Sequence, residues 1–116
     1  MSRVYLDYLQ DMRDNAKRAI DFSAGLNNEA FSKDEKTIYA VIRAVEVIGE
    51  AASNIPEDIR SQYAEIPWRE IKGMRNKLVH QYFGINMEVV WQTIQEDLPM
   101  IINVIDGVLK QEKEKE

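Results

Sequence analysis

The 116-residue chain has no cysteine, a single histidine, three prolines and five glycines. Without cysteine there is no disulfide framework, no thiolate zinc site and no cysteine nucleophile. One histidine and scattered carboxylates make no metal motif, so neither metal nor other cofactor is expected. The glycines stand apart from one another, which excludes a phosphate-cradling glycine-rich loop, and no serine occupies a nucleophile elbow. No apolar run approaches the roughly 20 residues that cross a bilayer, and no leader-like succession opens the chain. The expectation is a soluble, unexported, cytoplasmic protein.

Positive charge is also scarce. The net charge of −5 argues against a general nucleic-acid coat protein, because Lys and Arg contacts to phosphates supply most non-specific affinity. Basic residues concentrate locally instead. Between Arg69 and Gly84, Arg69, Lys72, Arg75 and Lys77 face one acid, Glu70, a local +3 that leaves −8 for the rest. The same stretch holds the histidine, His80, and Tyr82 two residues beyond it.

What is present is helical periodicity. The length allows one domain over residues 1–116 with one core. Tyr5, Tyr8, Leu9, Met12, Ala16, Ala19 and Ile20 recur at three-four spacing and predict a first helix. Gly25, Asn27 and Asn28 break it, and Ser32-Lys33-Asp34-Glu35 has the form of a capping box that opens a second helix to about Asn54. That helix carries one stripe of Ile38, Val41, Ile42, Val45, Ile48 and Ala52, and beside it Thr37, Ala40, Ala44, Val47 and Ala51. Only the line Tyr39, Arg43, Glu46, Glu50 stays polar. So wide an apolar arc predicts either a central helix or a face toward a partner chain. Gly49 within it points to close approach of another backbone.

Pro56 and Pro67 each open a further helix, the second presenting Trp68, Ile71, Met74 and Leu78 on one face and running toward Gly84, where a left-handed residue can end it. Asn86 is placed to cap the next helix, which continues through Val90, Trp91, Ile94 and Leu98 to Leu109, with Pro99 kinking or restarting it. Residues 110–116 are expected to fray. The fold class predicted is all-α, an up-and-down bundle of four to five helices.

On an ideal helical wheel Arg75 lies at about 40 degrees from Ile71, inside the apolar arc, and His80 at about 180 degrees. Arg75 is therefore either paired structurally, with Glu46 or Glu50, or an anion-binding group whose stem packs on the core. A straight helix would hold Arg75 and His80 apart. If both serve one cleft, the chain must bend or unwind between Leu78 and Tyr82.

The octapeptide Arg75-Asn76-Lys77-Leu78-Val79-His80-Gln81-Tyr82 reads R-x4-H-x-Y and resembles the HepT-type toxins of the HEPN superfamily. The likeness extends over Ala44-Val45-Glu46-Val47-Ile48-Gly49-Glu50-Ala51, Pro67-Trp68-Arg69-Glu70-Ile71, Gly73-Met74, Tyr82-Phe83-Gly84, Val90-Trp91 and Asp97-Leu98-Pro99, roughly residues 38 to 105.

The resemblance implies a HEPN-like helical homodimer acting as a metal-independent endoribonuclease, with Arg75 and His80 catalytic and Asn76, Glu46 and Glu50 in support. It also implies a type VII-like toxin-antitoxin pair in which an MNT-type nucleotidyltransferase antitoxin transfers AMP from ATP onto Tyr82. The alternative within the same resemblance is a non-catalytic HEPN module that docks a nucleotidyltransferase or a nucleotide. The chemistry of the catalytic reading is coherent. Attack of a ribose 2'-OH on the neighbouring phosphate needs a proton acceptor, a proton donor and positive charge on the phosphorane, which imidazole and guanidinium supply.

Overall fold

The structure, a computed structural model, describes residues 4–80 and 84–115, with His80 described through its backbone alone. In chain order the elements are α1 (Tyr5–Ser23), α2 (Asn28–Lys33), α3 (Glu35–Ser53), α4 (Glu57–Gln62), α5 (Trp68–Leu78), β1 (Val79–His80), β2 (Gly84–Ile85), α6 (Met87–Gln92), a π-helical turn (Thr93–Asp97) and α7 (Leu98–Glu114). The fold is an all-α bundle, interrupted among the described residues by one two-residue antiparallel ladder.

α3 is the central helix. α1 packs along one side of it and α5 along another, while α7 lies against α1. Ile38, Val41, Ile42, Val45, Ile48 and Ala52 are buried as the first stripe requires, and Ala44 and Ala51 of the second stripe are buried as well. Thr37, Ala40 and Val47 are half-buried. Most of the wide arc is thus covered within the chain itself. At Gly49 the backbone of α5 draws near: a Cβ there would stand 3.6 Å from the Lys72 carbonyl oxygen and 3.7 Å from that of Ile71. These are ordinary contact distances, so the position leaves room for one methyl group and little more.

The second helical stretch starts later than the capping-box pattern predicts. Ser32 lies inside α2, where its hydroxyl donates to the Glu29 carbonyl at 2.7 Å. The cap of α3 is Asp34, whose carboxylate accepts from the Thr37 N–H at 3.1 Å. That bond is the first cause of a lowered Asp34 pKa. A carboxylate beside the positive end of a helix is a stronger cap than a hydroxyl two residues upstream. α2 has its own cap in Asn27, which accepts from the Ala30 N–H at 2.8 Å, and it is anchored by buried Phe31, whose ring meets that of Trp91 at a tilt of 45° with centroids 5.4 Å apart.

Pro99 stands where a new helix begins, as the restarting alternative expects. It occupies the first turn of α7, directly after the π turn, and backbone angles stay helical from Thr93 to Leu98. The wider turn moves away the carbonyl that the proline ring would otherwise strike, so α7 follows the π turn without a loop between them.

The chain end expected to fray remains helical through Glu114. The reason is Glu112, buried to 2% exposure. It accepts from the Tyr63 hydroxyl and from the Tyr5 hydroxyl at 3.0 Å, and pairs with Lys115 at 3.3 Å. Three segments are tied together at this carboxylate: the start of α1, the end of α4 and the end of α7. Burial by itself would raise its pKa, but the hydrogen bonds from Tyr63, Tyr5 and Lys115 outweigh burial and hold it below the usual glutamate value.

A group with a depressed folded-state pKa contributes stability in full above its unfolded pKa and loses it as pH falls through the folded value. Glu112→Gln is expected to lower stability by about 1–3 kcal/mol at neutral pH, and to flatten the loss of stability between about pH 5 and pH 3. Urea melts of both proteins across that range measure it.

Candidate functional site

α5 ends at Leu78, two residues before His80. Val79 is extended (φ −128°, ψ 121°) and gives its N–H to the Arg75 carbonyl. Gly84 then takes a left-handed conformation (φ 77°), which lets the chain return so that Val79 pairs with Ile85 and His80 with Gly84. The Leu78 carbonyl, left free by the end of the helix, accepts the Asn86 N–H at 2.7 Å. Asn86 also caps α6, its side chain accepting from the Val89 N–H at 3.3 Å. The bend that a shared site requires lies between Leu78 and His80. It comes six residues ahead of Gly84, because β-branched Val79 and the ladder take over from the helix before the glycine is reached.

This break opens a cleft of about 830 Å³ lined by Tyr39, Ile42 and Glu46 of α3, Arg75 and Asn76 of α5, and Val79, Gly84 and Ile85 of the hairpin. Arg75 is not buried. Its side chain is 47% exposed and stands 3.9 Å from Glu46. α3 and α5 run antiparallel and meet closely at Gly49, so toward the C-terminal end of α5 the 40-degree position of the wheel meets open cleft rather than core. Glu50 pairs with Arg43 at 3.5 Å and not with Arg75. It lines a shallower groove of about 260 Å³ that continues the cleft past Lys72, Arg75 and Asn76.

Of the residues expected at the site, Arg75, Asn76 and Glu46 therefore share one cleft, with Glu50 at its margin. The backbone of His80 is bracketed by Val79 along the chain and by Gly84 across the ladder, both of which line the cleft. Tyr82 lies outside the described residues, as does the His80 side chain. Among the described residues, no group of three or more His, Cys, Asp or Glu is arranged to hold a metal, and no helix is long and apolar enough to cross a membrane.

The charges are arranged for an anion that arrives from outside. Arg75 and Lys77 sit in the last turn of α5, where positive side chains offset the partial negative charge of the helix end. Glu46 holds the guanidinium over the cleft. An ion pair this long and this exposed contributes less than about 1 kcal/mol. An oxyanion able to accept two N–H bonds at once can displace the carboxylate. The floor beneath is apolar, formed by Ile42, Val79 and Ile85.

Sequence reasoning missed Tyr39 and this apolar floor. A signal was available for Tyr39, which stands seven residues before Glu46 and so shares its stripe two turns away.

Residues 12–108 match the family model described as Ribonuclease HepT-like. The chain belongs to that family. A relative named "Probable ribonuclease HepT", from Thermococcus cleftensis, is 46% identical over 101 residues, covering 87% of this chain and 92% of its own. Another, named "Putative RNase MJ0127", from Methanocaldococcus jannaschii, is 43% identical over 103 residues, covering 89% of this chain and 85% of its own. No solved structure matches the chain significantly. The family match agrees with the all-helical fold and spans every element that lines the cleft.

If the Glu46–Arg75 pair is a loose tether and not a structural bridge, Glu46→Gln will change unfolding free energy by less than about 1 kcal/mol. A loss above about 2 kcal/mol in denaturant melts would make the pair structural.

Proposed function

We propose that this protein is a metal-independent endoribonuclease that cleaves RNA by 2'-OH attack, with Arg75 and His80 as its catalytic groups. The observation that supports this reading is the end of α5 at Leu78, after which the His80 backbone lies between Val79 and Gly84, two residues that line the cleft holding Arg75. Family membership supports ribonuclease activity as the reaction class.

In this reading a phosphate displaces Glu46 and is gripped by the guanidinium of Arg75, which steadies the charge of the phosphorane as the 2'-oxygen attacks. Asn76 offers a further hydrogen bond. His80 moves the proton, as acceptor from the 2'-OH or donor to the leaving 5'-oxygen. One chain has one histidine, so a base and an acid of the same kind call for two copies, and the proposal includes a homodimer with a shared cleft. The half-buried strip of Thr37, Ala40 and Val47 on α3 is the surface that remains for it.

The proposal extends to control. Tyr82, two residues past His80, is the acceptor of AMP from an MNT-type nucleotidyltransferase antitoxin in a type VII-like toxin-antitoxin pair. A nucleotide fixed there would fill the space of an RNA phosphate and repel it. The setting is cytoplasmic.

Incubated with total RNA in EDTA, the unmodified protein should cleave it, and His80→Ala or Arg75→Ala should each lower the rate about 100-fold or more. Wild-type rates in either variant would sink the catalytic assignment. Absence of cleavage by wild type would favour the non-catalytic binding module. Co-expression with the nucleotidyltransferase should add AMP by intact mass, and Tyr82→Phe should abolish the addition.

A further inference from the structure

Tyr39 is the most exposed large hydrophobic side chain among the described residues, at 58%, yet it lines the same cleft as Arg75. A ring left in water on a helix whose other broad side chains are buried gains nothing for the fold. Its position is what gives it a use. Tyr39 and Glu46 lie on one stripe of α3, seven residues and about 10 Å apart along the axis, and Glu46 touches Arg75. Between them the cleft wall is apolar, with Ile42 from α3 and Val79 and Ile85 from the hairpin.

The cleft thus has a cationic end suited to phosphate and an aromatic end beside a greasy floor. This is the layout of a single-stranded nucleic-acid groove, where cations track the backbone and rings stack on bases. Resting on the ribonuclease reading, we propose that Tyr39 is a base-stacking residue. It receives the nucleobase next to the phosphate held by Arg75 and so selects unpaired RNA, since a base within a duplex has no free face to offer. A tyrosine ring accepts any base, so the subsite specifies strandedness rather than sequence. The hydroxyl is not needed for stacking.

The test uses fluorescence anisotropy with a short labelled 2'-O-methyl oligouridine, which cannot undergo 2'-OH attack, so binding is read apart from cleavage. Stacking of one base is worth about 1–3 kcal/mol, so Tyr39→Ala should weaken binding about 5- to 150-fold, while Tyr39→Phe and Tyr39→Trp should stay near wild type. Because Tyr39 neutralises no phosphate, the salt dependence of binding should be unchanged in Tyr39→Ala and shallower in Arg75→Ala. In cleavage of single-stranded RNA, Tyr39→Ala should raise KM and leave kcat in place.

Binding by Tyr39→Ala within twofold of wild type, in a protein that does cleave RNA, overturns the stacking assignment alone. A fall in kcat without a change in KM also overturns it. Failure of the wild-type protein to bind or cleave RNA removes the ribonuclease reading and this inference with it.

Discussion

The proposed shared site depends on α5 stopping at Leu78. With Arg75 one turn back inside the helix and His80 two residues ahead of the stop, a single further turn would carry the two to opposite sides. Three local features enforce the stop: the extended backbone of Val79, the bond from the Asn86 N–H to the Leu78 carbonyl, and the Val79–Ile85 and His80–Gly84 pairs. None is strong alone. Together they satisfy the Leu78 carbonyl, one of the groups that a helix end leaves open, and they set Val79, Gly84 and Ile85 as a third wall of the cleft.

The bundle supplies the other two walls at little cost in shape. α3 and α5 touch closely at Gly49 and separate toward Tyr39 and Val79, so a cavity follows from the geometry of two helices and one hairpin. The cationic groups of α5 lie where they also offset its dipole, which reconciles a local positive patch with a chain of net charge −5. At the far end of the bundle, buried Glu112 closes α7 onto α1 and α4 through Tyr5 and Tyr63. This network shares no residue with the cleft, where Arg75 is exposed and only loosely paired with Glu46.

Much of this was legible in the sequence because helices announce themselves by periodicity and the motif by its order. The central place of α3, the cap at Asn86, and the need for a break before His80 could all be read from residue spacing, whereas Asn27 was legible only as part of a break and not as the cap of α2. What could not be read depends on contacts between distant segments. Ser32 has the pattern of a cap, but Asp34 takes the role once α2 forms a separate turn. Residues 110–116 look polar and loose, and nothing local reveals that Glu112 meets two tyrosines from elsewhere in the chain. Arg75 falls in an apolar arc on the wheel, yet the helices diverge at that level and leave it in the cleft. Tyr39 was visible only as one member of a polar line.

The central chemical claim is that the attacking oxygen comes from the substrate and not from water. The ends of the RNA fragments record this directly. Products made by the unmodified protein in EDTA, digested and resolved by mass spectrometry, are predicted to carry 2',3'-cyclic phosphates on one side of each cut and 5'-hydroxyls on the other. Fragments ending in 3'-hydroxyls and 5'-phosphates would contradict it.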